Sequence, residues 1–176
     1  MAIMTITSRH ARAMAYKAQL DEAGVWIALG RTITPWDDEN HPPPPDPHAV
    51  DIEEITGFQA VENISFVRRN ENGSIFYLGD YYELISDLEA TNTLCTLLYV
   101  RAVIRPIQMG STYRQIGVYR GLISVDNLNP DFPKPPYDFL TLDQVLSHGA
   151  LDIYDNFPPT TRLPNQRDEY AFMLQF

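Results

Sequence analysis

The chain has 176 residues, including 14 prolines, 10 tyrosines and 8 phenylalanines, and a formal net charge of -10 at pH 7. That length suits one domain with a proper core, and the proline and aromatic content favours strands and long ordered connections over a helical bundle. The acidic balance argues against a nucleic-acid partner, whose phosphates need a basic face.

Residues 8–23 predict a helix: Ser8 can cap it, Ala11, Ala13, Ala15 and Ala18 favour it, and Gly24 can end it. Ala13, Tyr16 and Leu20 mark a narrow apolar face on it. Val25, Trp26, Ile27, Ala28 and Leu29 have the composition of a buried strand, which Gly30 lets the backbone leave at an angle that a Cβ would resist. Residues 33–50 then read as an acidic loop that projects, stiffened by Pro42, Pro43, Pro44, Pro45 and Pro47 into an extended polyproline form without amide donors. Trp36 at its root is either an internal wedge or a contact anchor. Between Pro35 and Glu62 there are eight acids and no Lys or Arg, whereas Arg68, Arg69, Arg101, Arg105, Arg114 and Arg120 fall on predicted strands. Association between such unlike patches is expected.

Residues 50–55 are ambiguous between a helical turn and a loop. From Gln59 the apolar period becomes two, through Val61, Ile64, Phe66 and Val67, and resumes at Ile75 after Asn72-Gly73, a pair that tolerates positive φ and predicts a hairpin. A strand over 94–105 places Leu98, Val100, Ala102 and Ile104 on one face, and its expected partner starts at Tyr113 after a turn at residues 109–111. Cys95 reads as a small buried hydrophobe at the start of that run, with no second cysteine for a disulfide. Residues 126–138 form a second proline-rich connection, residues 141–148 a short helix stopped by Gly149, and residues 169–176 a closing strand with Tyr170, Phe172, Leu174 and Phe176 on one face. The resulting expectation is a mainly β fold. It is a single domain over 1–176 with an antiparallel, sandwich-like sheet, an N-terminal helix, a short helix in the C-terminal half and long proline-rich loops.

The search for chemistry is negative, so neither an enzyme nor a cofactor is expected. His41, Asp46 and His48 match no metal-ligand spacing, and Asp37, Asp38 and Glu39 lack the alternate ligands and central glycine of a calcium loop. No nucleophile elbow, Walker motif or dinucleotide glycine pattern is present. A glycan hydrolase using Asp80 with Glu83 has their close spacing as its only support. Trp26, Trp36, Tyr77, Tyr81 and Tyr82 could instead supply the stacking platforms of a carbohydrate-binding module. The N-terminus lacks the form of a signal peptide and no run is long enough to span a bilayer, which implies assembly in a cytosol.

The stretch IALGRTITPWDDENHPPPPD, with its Gly-Arg-Thr, Pro-Trp, Glu-Asn and Pro-Pro elements, resembles the N-terminal signature of the baseplate wedge proteins of contractile-tailed phages, the family typified by gene product eight of T4. Three further stretches follow in the family's order: YRQIGVYRGLI at 113–123, LSHGALDIYDNFPP at 146–159 and NQRDEYAFMLQF at the end. The resemblance implies a structural virion protein in the tail baseplate that self-associates, as a dimer within a six-fold assembly, and meets other tail proteins. By that resemblance the chain is similar to a shortened version of the T4 type. The residues singled out for partner contacts are Arg31, Trp36, Asp37, Asp38, Glu39, Pro43, Pro44, Tyr170, Phe172 and Phe176. A collar, neck or tail-fibre attachment protein is the alternative within the structural class.

Overall fold

The structure, a computed structural model, describes residues 3–22, 24–104, 112–125, 139–163 and 165–176. It shows the expected class: antiparallel sheets, an N-terminal helix and one further short helix. The chain divides into two compact units.

The first unit takes its described residues from Met1–Glu22, Glu62–Arg101 and Ala171–Phe176. Helix α1 (Ile6–Glu22) starts earlier than the sequence suggested, because Thr5, not Ser8, is the cap: its Oγ1 accepts the Ser8 amide at 3.3 Å. The buried face of α1 is His10, Ala13 and Tyr16, at helical spacing. His10 lies 5.8 Å from the Phe66 ring and donates from Nδ1 to the Cys95 carbonyl at 2.6 Å. Phe66 belongs to strand β3 (Asn63–Arg69), which is followed by β4 (Ile75–Tyr77), β5 (Asp80–Ile85), helix α2 (Asp87–Thr93) and β6 (Leu97–Ile104). With the closing strand β12 (Asp168–Gln175), these strands form one sheet in the order β12-β6-β3-β5-β4. Strands β6 and β12 run on into the second unit.

That order corrects the expected hairpin at Asn72-Gly73. Strand β5 inserts between β3 and β4, pairing Arg68 with Glu83 on one side and Phe76 with Tyr81 on the other. The tight turn is Leu78-Gly79, both at positive φ, while Gly73 serves a different purpose. A β-carbon there would collide with the Tyr82 carbonyl, so Gly73 is what lets the incoming chain pass β5. Cys95 is half-buried in the connection after α2, outside the strand, with its thiol directed at the Val67 carbonyl.

The second unit takes its described residues from Ala23–Val61 and Ala102–Tyr170. Its sheet has the order β11-β7-β1-β2-β9, built from β1 (Val25–Gly30), β2 (Phe58–Ala60), β7 (Thr112–Arg120), β9 (Phe139–Leu140) and β11 (Ala150–Thr161). A two-stranded sheet pairs β8 (Ile123–Ser124) with β10 (Val145–Ser147). Strand β7 is not the sheet partner of β6, as the sequence suggested. It lies between β1 and β11, and its residues 113–119 are buried on both faces rather than one. The helix expected over 141–148 shrinks to one 3₁₀ turn, Leu142–Gln144. Gln144 returns its side chain to the Thr141 amide at 3.0 Å, and the next residues extend into β10. Residues 50–55 hold neither helix nor strand, yet Ile52 and Ile55 join Phe58, Tyr119, Leu122 and Leu140 in the core. The turn expected at 109–111 and the connection 126–138 lie outside the described residues.

Replacing Gly73 by alanine should lower stability by about 1–3 kcal/mol, the usual cost of forcing a group into filled space. A thermal midpoint equal to the wild type's would show that the chain passes β5 by another route.

Candidate functional site

The loop that carries most of the singled-out residues begins where β1 ends. The amide of Arg31 donates to the Glu53 carbonyl at 2.6 Å, and this approach is open only because residue 30 is glycine: a β-carbon would meet that same oxygen. Arg31 itself sits at φ 50 and turns its guanidinium back over the Trp36 ring, 3.8 Å from the ring centre. The same guanidinium bonds Glu53 and the Pro35 carbonyl. Trp36 is only 7% exposed and its indole N–H donates to the Phe157 carbonyl of β11 at 3.0 Å. Of the two roles left open by the sequence, wedge or anchor, Trp36 plays the wedge in this chain.

The acids of the segment are largely consumed internally. Glu39 binds Arg114 of β7 through both carboxylate oxygens at 2.7–3.0 Å, and Arg114 also reaches the Arg31 carbonyl. That fork lowers the pKa of Glu39 and raises that of Arg114. Glu54 accepts the amides of Ile33 and Thr34 and the Thr34 hydroxyl. These bonds hold its carboxyl at about 2, from an ordinary 4.5. Asp51 receives the Tyr119 hydroxyl and His148 Nδ1, and burial pushes the Tyr119 phenol well above its usual range. Asp38 pairs with His41 within the loop, and its pKa is lowered by that bond.

The proline segment is fastened to β11 as well. Gln115 accepts the Glu53 amide and donates to Asn156, which donates to the Pro43 carbonyl at 3.0 Å, while the Tyr154 hydroxyl meets Asp46. The segment expected to project is thus tied down at several points, and of the singled-out residues within it Asp37, Asp38, Pro43 and Pro44 are exposed. Sequence reading singled out Trp36, Glu39 and Pro43 but missed what holds each of them: Phe157, Arg114 and Asn156. The polar positions on an otherwise apolar β7 were the available signal.

The terminal residues are placed separately. The Tyr170 hydroxyl bonds that of Tyr113, and burial raises the pKa of both phenols. Phe176 lies 5.5 Å from the Tyr16 ring, and its amide donates to the Thr96 carbonyl at 3.1 Å. Phe172 is half-buried. Strand β12 therefore pairs within its own chain.

The basic strand residues among the described ones are engaged too, Arg105 lying outside them. Arg68 binds Glu83 and Glu89, Arg69 binds Asp80, Arg101 binds Glu62 and Arg120 binds Asp152. Asp80 and Glu83, the pair considered for glycan hydrolysis, both bind arginines. Among the described residues no group of three or more His, Cys, Asp or Glu could hold a metal ion, and no helix is long and apolar enough to cross a membrane.

Comparison with known proteins gives this braced β structure its class. The whole chain, residues 1–176, matches the family model described as baseplate wedge 3 tail fiber network component. It is also 30% identical over 131 residues to Virion protein 3 of Enterococcus phage phiEF24C, covering 70% of this chain and 71% of that protein. The class is that of structural proteins of the phage virion. Within it, the chain belongs to the baseplate wedge 3 tail fiber network component family.

Two outcomes are expected of the brace. Trp36→Ala should cost about 3–5 kcal/mol of folding stability, as for other buried aromatic truncations, which chemical denaturation would read. The folded pKa of Glu54, depressed from 4.5 to about 2, makes its contribution present at neutral pH and lost as pH falls through that window. Glu54→Gln should therefore be less stable than wild type at pH 7 and indistinguishable from it near pH ~2; a constant difference across pH would discard the role.

Proposed function

We propose that the protein is a wedge subunit of a contractile tail baseplate, assembled in the host cytoplasm and repeated with the six-fold order of the tail. Its work is to hold neighbouring tail proteins, and it catalyses nothing. The observation that carries this reading is the match of the entire chain to the wedge and tail-fibre-network family, through both compact units. The T4-type signature read in residues 27–46 supports it. The internal pairing of the acidic loop fits it as well, since a rigid presenting surface loses little conformational freedom when it docks.

In this reading residues 1–176 act as one assembling piece. The partner contacts fall on the exposed crest of the braced loop, Asp37, Asp38, Pro43 and Pro44, with Arg31, Trp36 and Glu39 as the support that fixes its shape. Tyr170, Phe172 and Phe176 keep the terminal strand in place beside a second contact, and the protein self-associates as a dimer. The family's description names the tail fibre network beside the wedge, and that favours tail-fibre attachment as the second reading.

A reconstruction of a virion carrying this protein tests the proposal. Density for the chain in the baseplate, at six-fold related positions and with the loop crest against a neighbour, is the expected result. Its presence only in the neck or head, or its absence from the particle, would overturn it. Asp37→Lys should leave folding stability within about 0.5 kcal/mol of wild type, as exposed substitutions do, while lowering incorporation into tails.

A further inference from the structure

We infer that the outer edge of β4 is a two-fold contact through which one copy of this chain pairs with a second. This rests on the self-association proposed above and gives it a surface. Strand β4 ends the sheet β12-β6-β3-β5-β4, with β5 on one side and none of the sheet's strands on the other. Natural edges are guarded by charges, prolines, bulges or brevity. The edge β11 of the other sheet has Pro158, Pro159 and breaks in register, and β9 there is two residues long. The other edge of this sheet, β12, has no large apolar side chain among the exposed ones. Strand β4 reads Ile75, Phe76, Tyr77, without a charge or a proline, and its only guard is its length of three residues.

It is also where large apolar side chains stand in water. Phe76 is 62% exposed, Leu78 88% and Tyr81 49%, with the Phe76 and Tyr81 rings 5.0 Å apart on one face of the hairpin. The register fixes which backbone groups are open. In a two-residue hairpin the residues flanking the turn, here Tyr77 and Asp80, exchange hydrogen bonds, so the next residue, Phe76, directs its N–H and C=O away from β5.

A second copy, antiparallel and centred on the same residue, meets that requirement. Phe76 opposite Phe76 exchanges both bonds, Ile75 stands opposite Tyr77, and four aromatic rings line one face. No charge opposes a like charge there, although the chain as a whole is strongly acidic. The unit that carries β4 holds 6 Lys or Arg against 8 Asp or Glu, whereas the other holds 7 against 15. The acids of the neighbouring β5 are paired already, Asp80 with Arg69 and Glu83 with Arg68. A near-neutral, apolar, self-complementary edge is the place where two copies of an acidic chain can meet without repulsion.

Sedimentation equilibrium of the full chain tests this. Wild type should reversibly dimerise, and Phe76→Lys should weaken the dimer at least tenfold with an unchanged thermal midpoint. Leu142→Lys, at an equally uncharged exposed position of the other unit, should dimerise as wild type does. Phe76→Cys in a Cys95→Ala background should be captured as a covalent dimer by a short bis-maleimide. A wild type that stays monomeric overturns the inference, as does a Phe76→Lys protein that dimerises normally. Wild type that is monomeric but loses capture of another tail protein on the same substitution also overturns it, by giving the edge a different occupant. A monomeric chain found in baseplates would leave the wedge reading standing, and a dimer absent from virions would do the reverse.

Discussion

One hydrogen bond closes the excursion on which the second unit depends: the Arg31 amide on the Glu53 carbonyl, made possible by the missing side chain of Gly30. Bringing the ends of a loop of this length together costs conformational entropy that grows only slowly with length. Short-range contacts offset that cost here. Arg31 covers Trp36, Glu54 collects the amides of residues 33 and 34, and Gln115 caps the amide of Glu53. Each is modest alone, but all of them presuppose the same closure. A loop of prolines and carboxylates thereby becomes part of a folded surface without a hydrophobic core of its own.

This closure also redistributes the electrostatics. A chain at -10 with its acids concentrated in one segment looks, from the sequence, like one half of a charge-complementary interface. In the fold Glu39, Asp51, Glu53 and Glu54 are committed to groups of the same unit, and Arg68 and Arg69 of β3 are committed likewise. Long-range attraction between subunits is correspondingly reduced, since paired charges present a weaker field at a distance than isolated ones. In the proposed assembly, contacts with neighbours then depend more on shape and apolar surface, which favours a rigid presenting loop over a mobile one.

The parts legible in the sequence were those in which local pattern and tertiary need agree. Residues 25–29 and 97–104 alternate or run apolar because they are strands, and α1 announces itself through Ala13 and Tyr16. Errors arose where a local signal was genuine but used for something else. Asn72-Gly73 looks like a hairpin turn, yet Gly73 is there for a backbone passing close by, and the real turn hides in Leu78-Gly79 at the end of an apolar run. Helix α2 was overlooked although Ser86 and Glu89 have the spacing of a capping box, and the Ser86 hydroxyl does accept the Glu89 amide at 3.2 Å. The site residues Trp36 and Glu39 were visible as anomalies. Their partners were not, because Arg114 and Phe157 lie more than 70 positions away and only the sheet order brings them together.

The last strand of the first unit has a temporal meaning. That unit is stitched from an opening helix, a middle stretch and residues 171–176, with Phe176 against Tyr16 and its amide on Thr96. A ribosome delivers the helix first and its closing strand after every residue of the second unit. The second unit is likewise incomplete until Tyr170 has emerged. Neither unit is complete until residue 170 has emerged, and contacts of such long sequence separation form slowly. The bare sheet formed before β12 arrives exposes β6, and that interval, rather than the finished protein, is when a growing chain of this kind is most open to chaperones or to misassociation.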